Sequence, residues 1–349
     1  MSPLPFLGIV LHAIGGFAAG SFYIPYKRVR DWSWESYWLV GGVFSWLVAP
    51  LLMAAFTVPD LPGVLARSPA DSLLLTYMFG LLWGVGGLTF GLSMRYLGIS
   101  LGYALALGFC AAFGTLMPPV FHGELPALLG SSSGRVTLIG VLVCLVGIAI
   151  CARAGMRKEK ELSAAEKRGV IAEFNFVKGV WVAIFAGIMS ACMAFGFAAG
   201  KPIAAASVDA GSAEIFQNNA VLVVILAGGL TTNAIWCVYL NVVNGSWRDY
   251  FRPVPNTPAV ANWFFAALAG FTWYLQFFFY GMGTTKMGKY DFSSWTLHMA
   301  FIIIFSNIWA LVFKEWKGAG PGTLRLVYAG LAVLLLSTLV IGLGNFLIS

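Results

Sequence analysis

Apolar runs of about 20 residues, separated by short polar turns, constrain this chain more than any other feature. A helix of about 20 residues crosses the roughly 30 Å hydrocarbon core of a bilayer. Of the 349 residues, 59% are hydrophobic and 10% are charged, whereas soluble domains carry about 25% charged residues. The runs therefore predict an all-α integral membrane protein with lipid as its surroundings, and they argue against a nucleic-acid-binding protein despite the net charge of +7.

The number of these runs predicts ten transmembrane helices. The first run has no basic segment before it and is too long for the apolar part of a cleavable signal peptide, so we interpret it as a spanning helix. The predicted helices cover 5–26, 36–58, 73–94, 98–121, 136–152, 177–200, 213–240, 259–283, 291–313 and 324–346.

A polar stretch divides these helices into two sets of five. The predicted domains are an N-terminal repeat at 1–153, a linker at 154–176 and a C-terminal repeat at 177–349. Since five is odd, the two halves would insert with opposite orientations. This is the arrangement of an inverted repeat, in which the binding site lies between the halves.

Basic residues are distributed unequally between the two sides of the predicted membrane. The turns after helices 1, 3, 5, 7 and 9 hold sixteen of the 21 Lys and Arg residues. The other side holds Arg67, Arg135, Lys201, Lys286 and Lys289. The positive-inside rule places the richer side, including the linker, in the cytoplasm and both termini in the periplasm of a bacterial inner membrane.

Small residues recur along the third predicted helix. Gly80, Gly84, Gly87 and Gly91 form a stripe at helical spacing. Stripes of this kind let helices approach closely in a membrane, so we expect this helix to pack tightly against a neighbour.

Motifs for catalysis, metal binding or nucleotide binding are missing from the sequence. The five cysteines lie in apolar runs without metal-ligand spacing and are interpreted as core residues: Cys110, Cys144, Cys151, Cys192 and Cys237. The sequence therefore predicts no enzyme, no metal and no cofactor. Without a nucleotide-binding module, any uphill movement of a solute would use an ion gradient.

Two consecutive helices near the C-terminus carry stripes in which aromatic and hydrogen-bonding residues alternate. Helix 8 presents Trp273, Gln276, Phe277 and Tyr280 on one face. Helix 9 presents Asp291, Ser294, Trp295 and His298. A pyranose suits this combination, because its hydroxyls need donors and acceptors and its C–H faces stack on aromatic rings. The alternative is that these residues are ordinary core, with Gln276 and His298 bonded across helices.

The candidate carriers of a coupling proton are acidic residues. Asp291 is the leading candidate, although it could also cap the start of helix 9, and Glu35 and Glu214 follow it. For His298 we favour a neutral bridging role over titration. His12 lies on a small-residue stripe and is interpreted as a packed hydrogen-bonding residue rather than a ligand.

Several segments resemble the bacterial L-rhamnose–proton symporter family, in order along the whole chain. They are PYKRV at 25–29, WSWE at 32–35, MRYLG at 94–98, GTLM at 114–117, WYLQFFFY at 273–280, YD at 290–291, WTLHM at 295–299 and KEW at 314–316. The resemblance fades at 154–172, 203–220 and 241–258.

What the resemblance implies is a member of the drug/metabolite transporter superfamily that imports a 6-deoxyhexose with a proton. The stripes of helices 8 and 9 fall within the best-matching segments, and from these stripes we predict the substrate contacts Trp273, Gln276, Tyr280, Ser294, Trp295 and His298. Because 203–220 departs from the family pattern, L-fucose, L-lyxose or an L-mannose-like sugar stays open beside L-rhamnose. A proton-coupled exporter is the alternative function. The expected partners are the sugar and membrane lipid, with the chain as a monomer or weak dimer.

Overall fold

The computed structural model describes residues 4–97, 99–121, 123–161, 175–251, 260–288 and 291–347, and it is helical throughout its long elements. The helices are α1 (Pro5–Ser21), α2 (Trp34–Thr57), α3 (Leu61–Arg67), α4 (Ala70–Leu97), α5 (Ile99–Phe121), α6 (Leu125–Gly130), α7 (Ser132–Glu161), α8 (Phe176–Ala199), α9 (Lys201–Asp209), α10 (Asn218–Asn244), α11 (Ala261–Thr284), α12 (Ser293–Val312) and α13 (Pro321–Phe346). Within α2, Phe44–Val48 is π-helical.

Eight of these helices, among the residues described, are long and apolar enough to cross a membrane: α1, α2, α4, α7, α8, α10, α12 and α13. The prediction of an all-α membrane protein is confirmed. The two other predicted spans are also helical, as α5 and α11, but they do not meet the same measure. In α11 the polar residues Asn262, Thr272 and Gln276 and several indole and phenol groups lower the hydropathy. The count of ten spans stays a prediction.

The predicted linker is shorter in the structure than in the sequence interpretation. Helix α7 continues to Glu161, about nine residues past its predicted end at 152. The added part, with Arg157, Lys158 and Lys160, lies in a polar environment, where a helix needs no apolar run. The remainder of the linker, 162–174, lies outside the described residues.

The long helices pack in pairs that repeat between the two halves. Helix α1 contacts α11 and α12, and α8 contacts α4 and α5. Helix α2 contacts α11, and α10 contacts α4. Each of these pairs joins a helix of the N-terminal half to one of the C-terminal half, and so do the pairs α2–α10 and α7–α13. If each long helix is replaced by the long helix five places away in the chain, for example α1 by α8 and α11 by α4, the same set of pairs results.

The side-chain contacts between helices define two ends of the molecule. At one end Lys27 meets Glu315, Ser33 meets Asp249 and Arg30 meets Asn262. We call this the basic end, because it carries most of the Lys and Arg residues. At the opposite end, called the cavity end, Asn219 meets Thr57 and Lys201 meets Asp291.

The predicted glycine stripe of α4 is only partly a packing surface. A Cβ at Gly80 would overlap the carbonyl oxygen of Ile225 on α10, and one at Gly84 would lie 2.9 Å from Thr232 Cβ. At Gly87 and Gly91 there is nothing within 4 Å. The close approach of α4 to α10 thus depends on the first two glycines.

We expect Gly80→Ala to destabilise the protein by about 1–3 kcal/mol, because the added methyl group forces α4 away from the α10 backbone. Gly87→Ala is the matched control on the same helix. Its methyl group enters open space, so it should be neutral or stabilising by up to about 1 kcal/mol. Thermal unfolding of both variants in the same detergent measures the difference, and equal melting temperatures would contradict the packing described.

Candidate functional site

A cavity of about 490 Å³ opens at the cavity end, between α5, α8, α9, α11 and α12. Sites for small molecules have volumes of about 300–1,000 Å³. Its polar lining residues are Glu124, Lys201, Gln217, Asn218, Thr284, Thr285 and Asp291, and its aromatic lining residues are Phe197, Tyr280, Phe292 and Trp295. The lining therefore combines hydrogen-bonding groups of both kinds with aromatic rings.

Two of the six predicted substrate contacts, Tyr280 and Trp295, line this cavity. Their rings lie 5.6 Å apart between centroids and meet edge to face. Trp295 Nε1 donates a hydrogen bond to the carbonyl oxygen of Cys110 on α5 (3.1 Å), which fixes the indole. Phe197 of α8 packs on Tyr280 at 4.9 Å. Residues of four helices, α5, α8, α11 and α12, thus form an aromatic surface at the base of the cavity.

Beneath this surface lie two imidazoles. His298 of α12 is 0% exposed, and its ring centroid is 5.2 Å from that of Tyr280. His12 of α1 is also 0% exposed and lies 5.4 Å from the same ring. Neither imidazole has a hydrogen-bond partner among the described residues. The predictions that His298 bridges helices and that His12 is hydrogen-bonded are therefore wrong, because both rings are surrounded by apolar and aromatic groups.

The charged residues of the cavity lie at its rim. Lys201 Nζ and Asp291 Oδ2 are 3.0 Å apart, and both side chains are partly exposed. Helix α12 begins at Ser293 after Phe292 and has no side-chain cap. The interpretation of Asp291 as a helix cap is thus wrong: its carboxylate pairs with Lys201 instead. Glu124 is a second carboxylate lining the cavity.

Trp273 lies outside the cavity, although it shares a helix with Tyr280. Its ring contacts Trp46 at 5.7 Å and Trp83 at 5.4 Å, in an aromatic cluster toward the basic end. Phe277, the next residue on this face, contacts both Trp273 and His298. The aromatic stripe of α11 therefore runs from the base of the cavity into the closed part of the molecule.

Two further predicted residues are buried away from the cavity lining. Gln276 lies where α11 meets α1, and its backbone oxygen is 2.8 Å from a Cβ built at Gly15. Ser294 is 0% exposed, and its hydroxyl has no hydrogen-bond partner in the described part of the chain. Neither residue lines the cavity, so the structure does not bring all six predicted contacts together.

The predicted acidic residues occupy different ends of the molecule. Glu35 is buried at the basic end, 6% exposed, and accepts hydrogen bonds from Asn244 Nδ2 (2.9 Å) and Ser246 Oγ (2.7 Å). Glu214 is an exposed residue at the cavity end, in the 3₁₀ turn Glu214–Phe216, and it does not line the cavity. Of the three acidic candidates, Asp291 is the one that the cavity contains.

A polar network closes the basic end. Ser36 Oγ and the backbone N–H of Ser33 both donate to Asp249 Oδ2, at 2.8 and 2.7 Å. These bonds join the start of α2 to the segment after α10. Together with the Glu35 bonds, they connect α2 to the end of α10 on the side opposite the cavity.

A second connection at this end joins α7 to the start of α13. The backbone N–H of Gly320 and the hydroxyl of Thr323 donate to Glu161, at 2.8 and 2.7 Å. These bonds, with the neighbouring Arg157, hold the pKa of Glu161 below its usual value. The carboxylate therefore stays ionised at neutral pH and keeps this connection.

Two charged residues of the cavity lining, Lys201 and Glu124, are not among the site residues predicted from the sequence. The same is true of the lining residues Phe197, Gln217, Asn218, Thr284 and Thr285. A signal existed for Lys201, since it directly follows an apolar run and is one of few basic residues on its side. The pairing of Lys201 with Asp291, 90 positions further along, has no sequence signature.

In the described residues, a polar and aromatic cavity opens at one end of a helical membrane protein, and hydrogen bonds join the helices at the other end. This is the arrangement of a membrane transporter. The chain belongs to the L-rhamnose-proton symport protein (RhaT) family, whose sequence model matches residues 1–346. This is a family of transporters and not of enzymes, and the resemblance seen in the sequence is confirmed.

Named relatives match over nearly the whole chain. The chain is 39% identical over 341 residues to the L-rhamnose-proton symporter of Cronobacter sakazakii, and the match covers 97% of both proteins. It is 38% identical over 342 residues to that of Citrobacter koseri and 38% identical over 344 residues to that of Salmonella paratyphi B, again with 97% of each chain covered.

Proposed function

We propose that this protein imports L-rhamnose, or a closely related 6-deoxy or L-sugar, together with a proton across the bacterial inner membrane by alternating access. The observation that carries the proposal is the cavity of about 490 Å³ with aromatic rings at its base and amide and hydroxyl groups above them. Membership of a family whose relatives are named L-rhamnose-proton symporters supports it.

The cavity lining suits a neutral sugar. Tyr280 and Trp295 offer ring faces for the C–H face of a pyranose, and a 6-deoxy sugar adds an apolar methyl group. Gln217 offers donors and an acceptor beside these rings, and Asn218 offers its acceptor oxygen. Asn218 Nδ2 already donates to Gly281 O (2.8 Å) and Thr284 Oγ1 (3.0 Å), so its orientation is fixed.

The other predicted contacts would meet the sugar at a later step of transport. Trp273, Gln276, Ser294 and His298 do not line the open cavity, but they continue along α11 and α12 from its base. We place them on the path of the sugar after the cavity end has closed. Tyr280 and Trp295 are then the first contacts of the sugar.

Trp295→Leu is expected to weaken sugar binding by about 10- to 100-fold, because the variant loses the ring at the base of the cavity and the bond to Cys110 O. Trp295→Phe keeps a ring and should lose about tenfold or less. Isothermal titration of the purified variants with L-rhamnose measures both. Equal affinities for the leucine variant and the wild type would remove Trp295 from the site.

The proposed architecture is ten spanning helices in an inverted five-plus-five repeat, with domains 1–153 and 177–349, as in the drug/metabolite transporter superfamily. The exchange of helix pairs between the halves, such as α1–α11 with α8–α4, supports this repeat. In such repeats, one half rocks against the other around the site. The contacts between the halves, among them α1–α11, α8–α4, α2–α10 and α7–α13, then include the surfaces that move.

The proposed orientation has the basic end in the cytoplasm and the cavity facing the periplasm, in agreement with the positive-inside rule. Both termini then lie on the periplasmic side. Exposed apolar side chains on the outer surface, among them Phe56, Trp181 and Ile235, would contact lipid. One chain contains the entire cavity, so we propose that the monomer, alone or in a weak dimer, is the working unit.

Asp291 is the proposed coupling carboxylate, with Glu35 and Glu214 as the second choices. Asp291 is part of the cavity and pairs with Lys201 at 3.0 Å. Protonation of the carboxylate would end this ion pair and free Lys201. Proton binding at Asp291 could thus change the connection between α9 and the start of α12 at the rim of the cavity.

The first test is proton movement on adding sugar to de-energised cells that express the protein. L-rhamnose is expected to alkalinise the medium more than L-fucose or L-arabinose does, because a proton enters with each substrate molecule. Net accumulation in right-side-out vesicles then distinguishes import from the alternative of export. If no sugar moves protons and none stabilises the purified protein against heat, the proposal fails.

A further inference from the structure

His12 is a buried polar group that the open cavity does not use. It lies in the middle of α1, against Gly283 of α11, where a Cβ would be 2.7 Å from its Cε1. The close contact places the whole imidazole between the two helices. Its exposure is 0%, and both ring nitrogens lack a hydrogen-bond partner in the described residues.

His298 repeats this situation from another helix. It is fully buried on α12, and its two ring nitrogens are also unpartnered within the described residues. Both imidazoles contact the ring of Tyr280, at 5.4 and 5.2 Å between centroids. Unpaired polar groups in a protein interior are uncommon and destabilising. Here two such groups contact the same cavity residue, Tyr280. We take this as an indication that both imidazoles are hydrogen-bonded in another state of the protein.

The surroundings indicate what would bind these nitrogens. A neutral imidazole has one donor and one acceptor, which matches a hydroxyl group. Tyr280 contacts both imidazoles, Phe277 and Trp295 contact His298, and all three rings are uncharged. The ion pair Lys201–Asp291 lies at the rim of the cavity rather than here. This environment favours a neutral polyhydroxylated ring over a charged ligand.

We propose that His12 and His298 form a second, deeper position for the sugar beneath Tyr280. The sugar reaches it from the open cavity when the Tyr280 side chain moves aside, and its hydroxyls then bond to both imidazoles. This inference rests on the proposed function and extends it. It adds α1 to the helices that form the sugar site.

The test compares sugar affinity with sugar-free stability in purified protein. His12→Phe keeps an aromatic ring and removes both nitrogens. We expect its Kd for L-rhamnose to rise about tenfold, while its melting temperature without sugar stays equal or rises, because an unpaired buried polar group is gone. His12→Asn keeps a donor and an acceptor and should retain most of the affinity. His12→Met serves the same comparison if the phenylalanine variant does not fold.

Thr76→Val is the matched control. Thr76 of α4 is also 0% exposed with an unpartnered hydroxyl among the described residues, but it does not line the cavity or contact the imidazoles. Its replacement should stabilise the protein and leave the Kd unchanged. If His12→Phe behaves in the same way, His12 is a core residue and the inference is wrong.

Two other results would overturn the inference. If His12→Phe binds L-rhamnose normally but no longer moves protons with it, His12 acts on the proton and not on the sugar. If the wild-type protein binds neither L-rhamnose nor L-fucose, the proposed function itself fails. That last result is obtained from the wild type alone, so the two failures are distinguishable.

Discussion

Asp291→Asn is expected to abolish concentration of L-rhamnose against its gradient while exchange of sugar across the membrane continues. Asparagine has the shape of the carboxylic acid and can still accept a hydrogen bond from Lys201, which lies 3.0 Å from Asp291 Oδ2. It cannot release a proton, however, and so resembles a permanently protonated site. The cavity and its aromatic base stay intact, so binding and exchange should persist.

The expected effect is large because coupling supplies all the energy for accumulation. One proton moving through 100 mV releases about 2.3 kcal/mol, which sustains a concentration ratio of about 50-fold. The ratio in energised vesicles should fall from this range to about 1. Counterflow of labelled L-rhamnose in the same vesicles, without a proton gradient, measures whether exchange survives.

Asp60→Asn is the control for this prediction. Asp60 lies at the same end of the molecule and pairs with Arg67 at 3.3 Å, but it does not line the cavity. Its pair is exposed and contributes about 0–1 kcal/mol, so accumulation should be unchanged. If Asp291→Asn still concentrates the sugar, Asp291 is not the coupling group.

The sequence was sufficient for the fold class because bilayer thickness and hydrophobicity act on each helix separately. All ten apolar runs are helical in the described residues. The ends of helices were harder to predict, since α7 continues nine residues into polar sequence without a change in local propensity. The glycine stripe of α4 shows the same limit: helical spacing places four glycines on one face, but the position of α10 decides that only Gly80 and Gly84 are packed.

The site was predicted in part, for a physical reason. Residues i, i+3 and i+7 share a helix face, and this spacing places Trp273, Gln276 and Tyr280 on one stripe of α11. Spacing does not give depth, however, so it could not separate Tyr280 at the cavity from Trp273 in the closed aromatic cluster. Pairings between distant helices, such as Lys201 with Asp291 and His12 with Tyr280, are set by tertiary packing and leave no local signal.

The second large effect is expected on replacing Glu35, because its side chain connects two helices at the basic end. Its carboxylate accepts hydrogen bonds from Asn244 and Ser246 and so joins the start of α2 to the end of α10. Hydrogen bonds to charged groups contribute about 1.5–3 kcal/mol each. Glu35→Leu removes both and leaves two polar partners unsatisfied, so the basic end should open and the cavity end should close in response.

A thiol reporter in the cavity measures this shift. Ala205 is an exposed residue of the cavity lining, and Ala205→Cys would react with a membrane-impermeant maleimide from the cavity end. The five native cysteines are buried or half-buried, so their background reaction should be slow. Since 1.4 kcal/mol changes a two-state ratio tenfold, Glu35→Leu should lower the labelling rate at least tenfold.

Glu315→Gln is the control for this labelling experiment. Glu315 is at the same end as Glu35, but its bond to Lys27 at 3.2 Å is exposed, with about half of each side chain accessible, so its loss should change labelling little. A folded Glu35→Leu protein that labels at the normal rate but no longer accumulates sugar would make Glu35 a coupling group rather than a closure contact. Slow labelling with sugar-driven proton movement retained would instead assign the proton to the cavity end, where Asp291 lies, and the conformational equilibrium to the basic end.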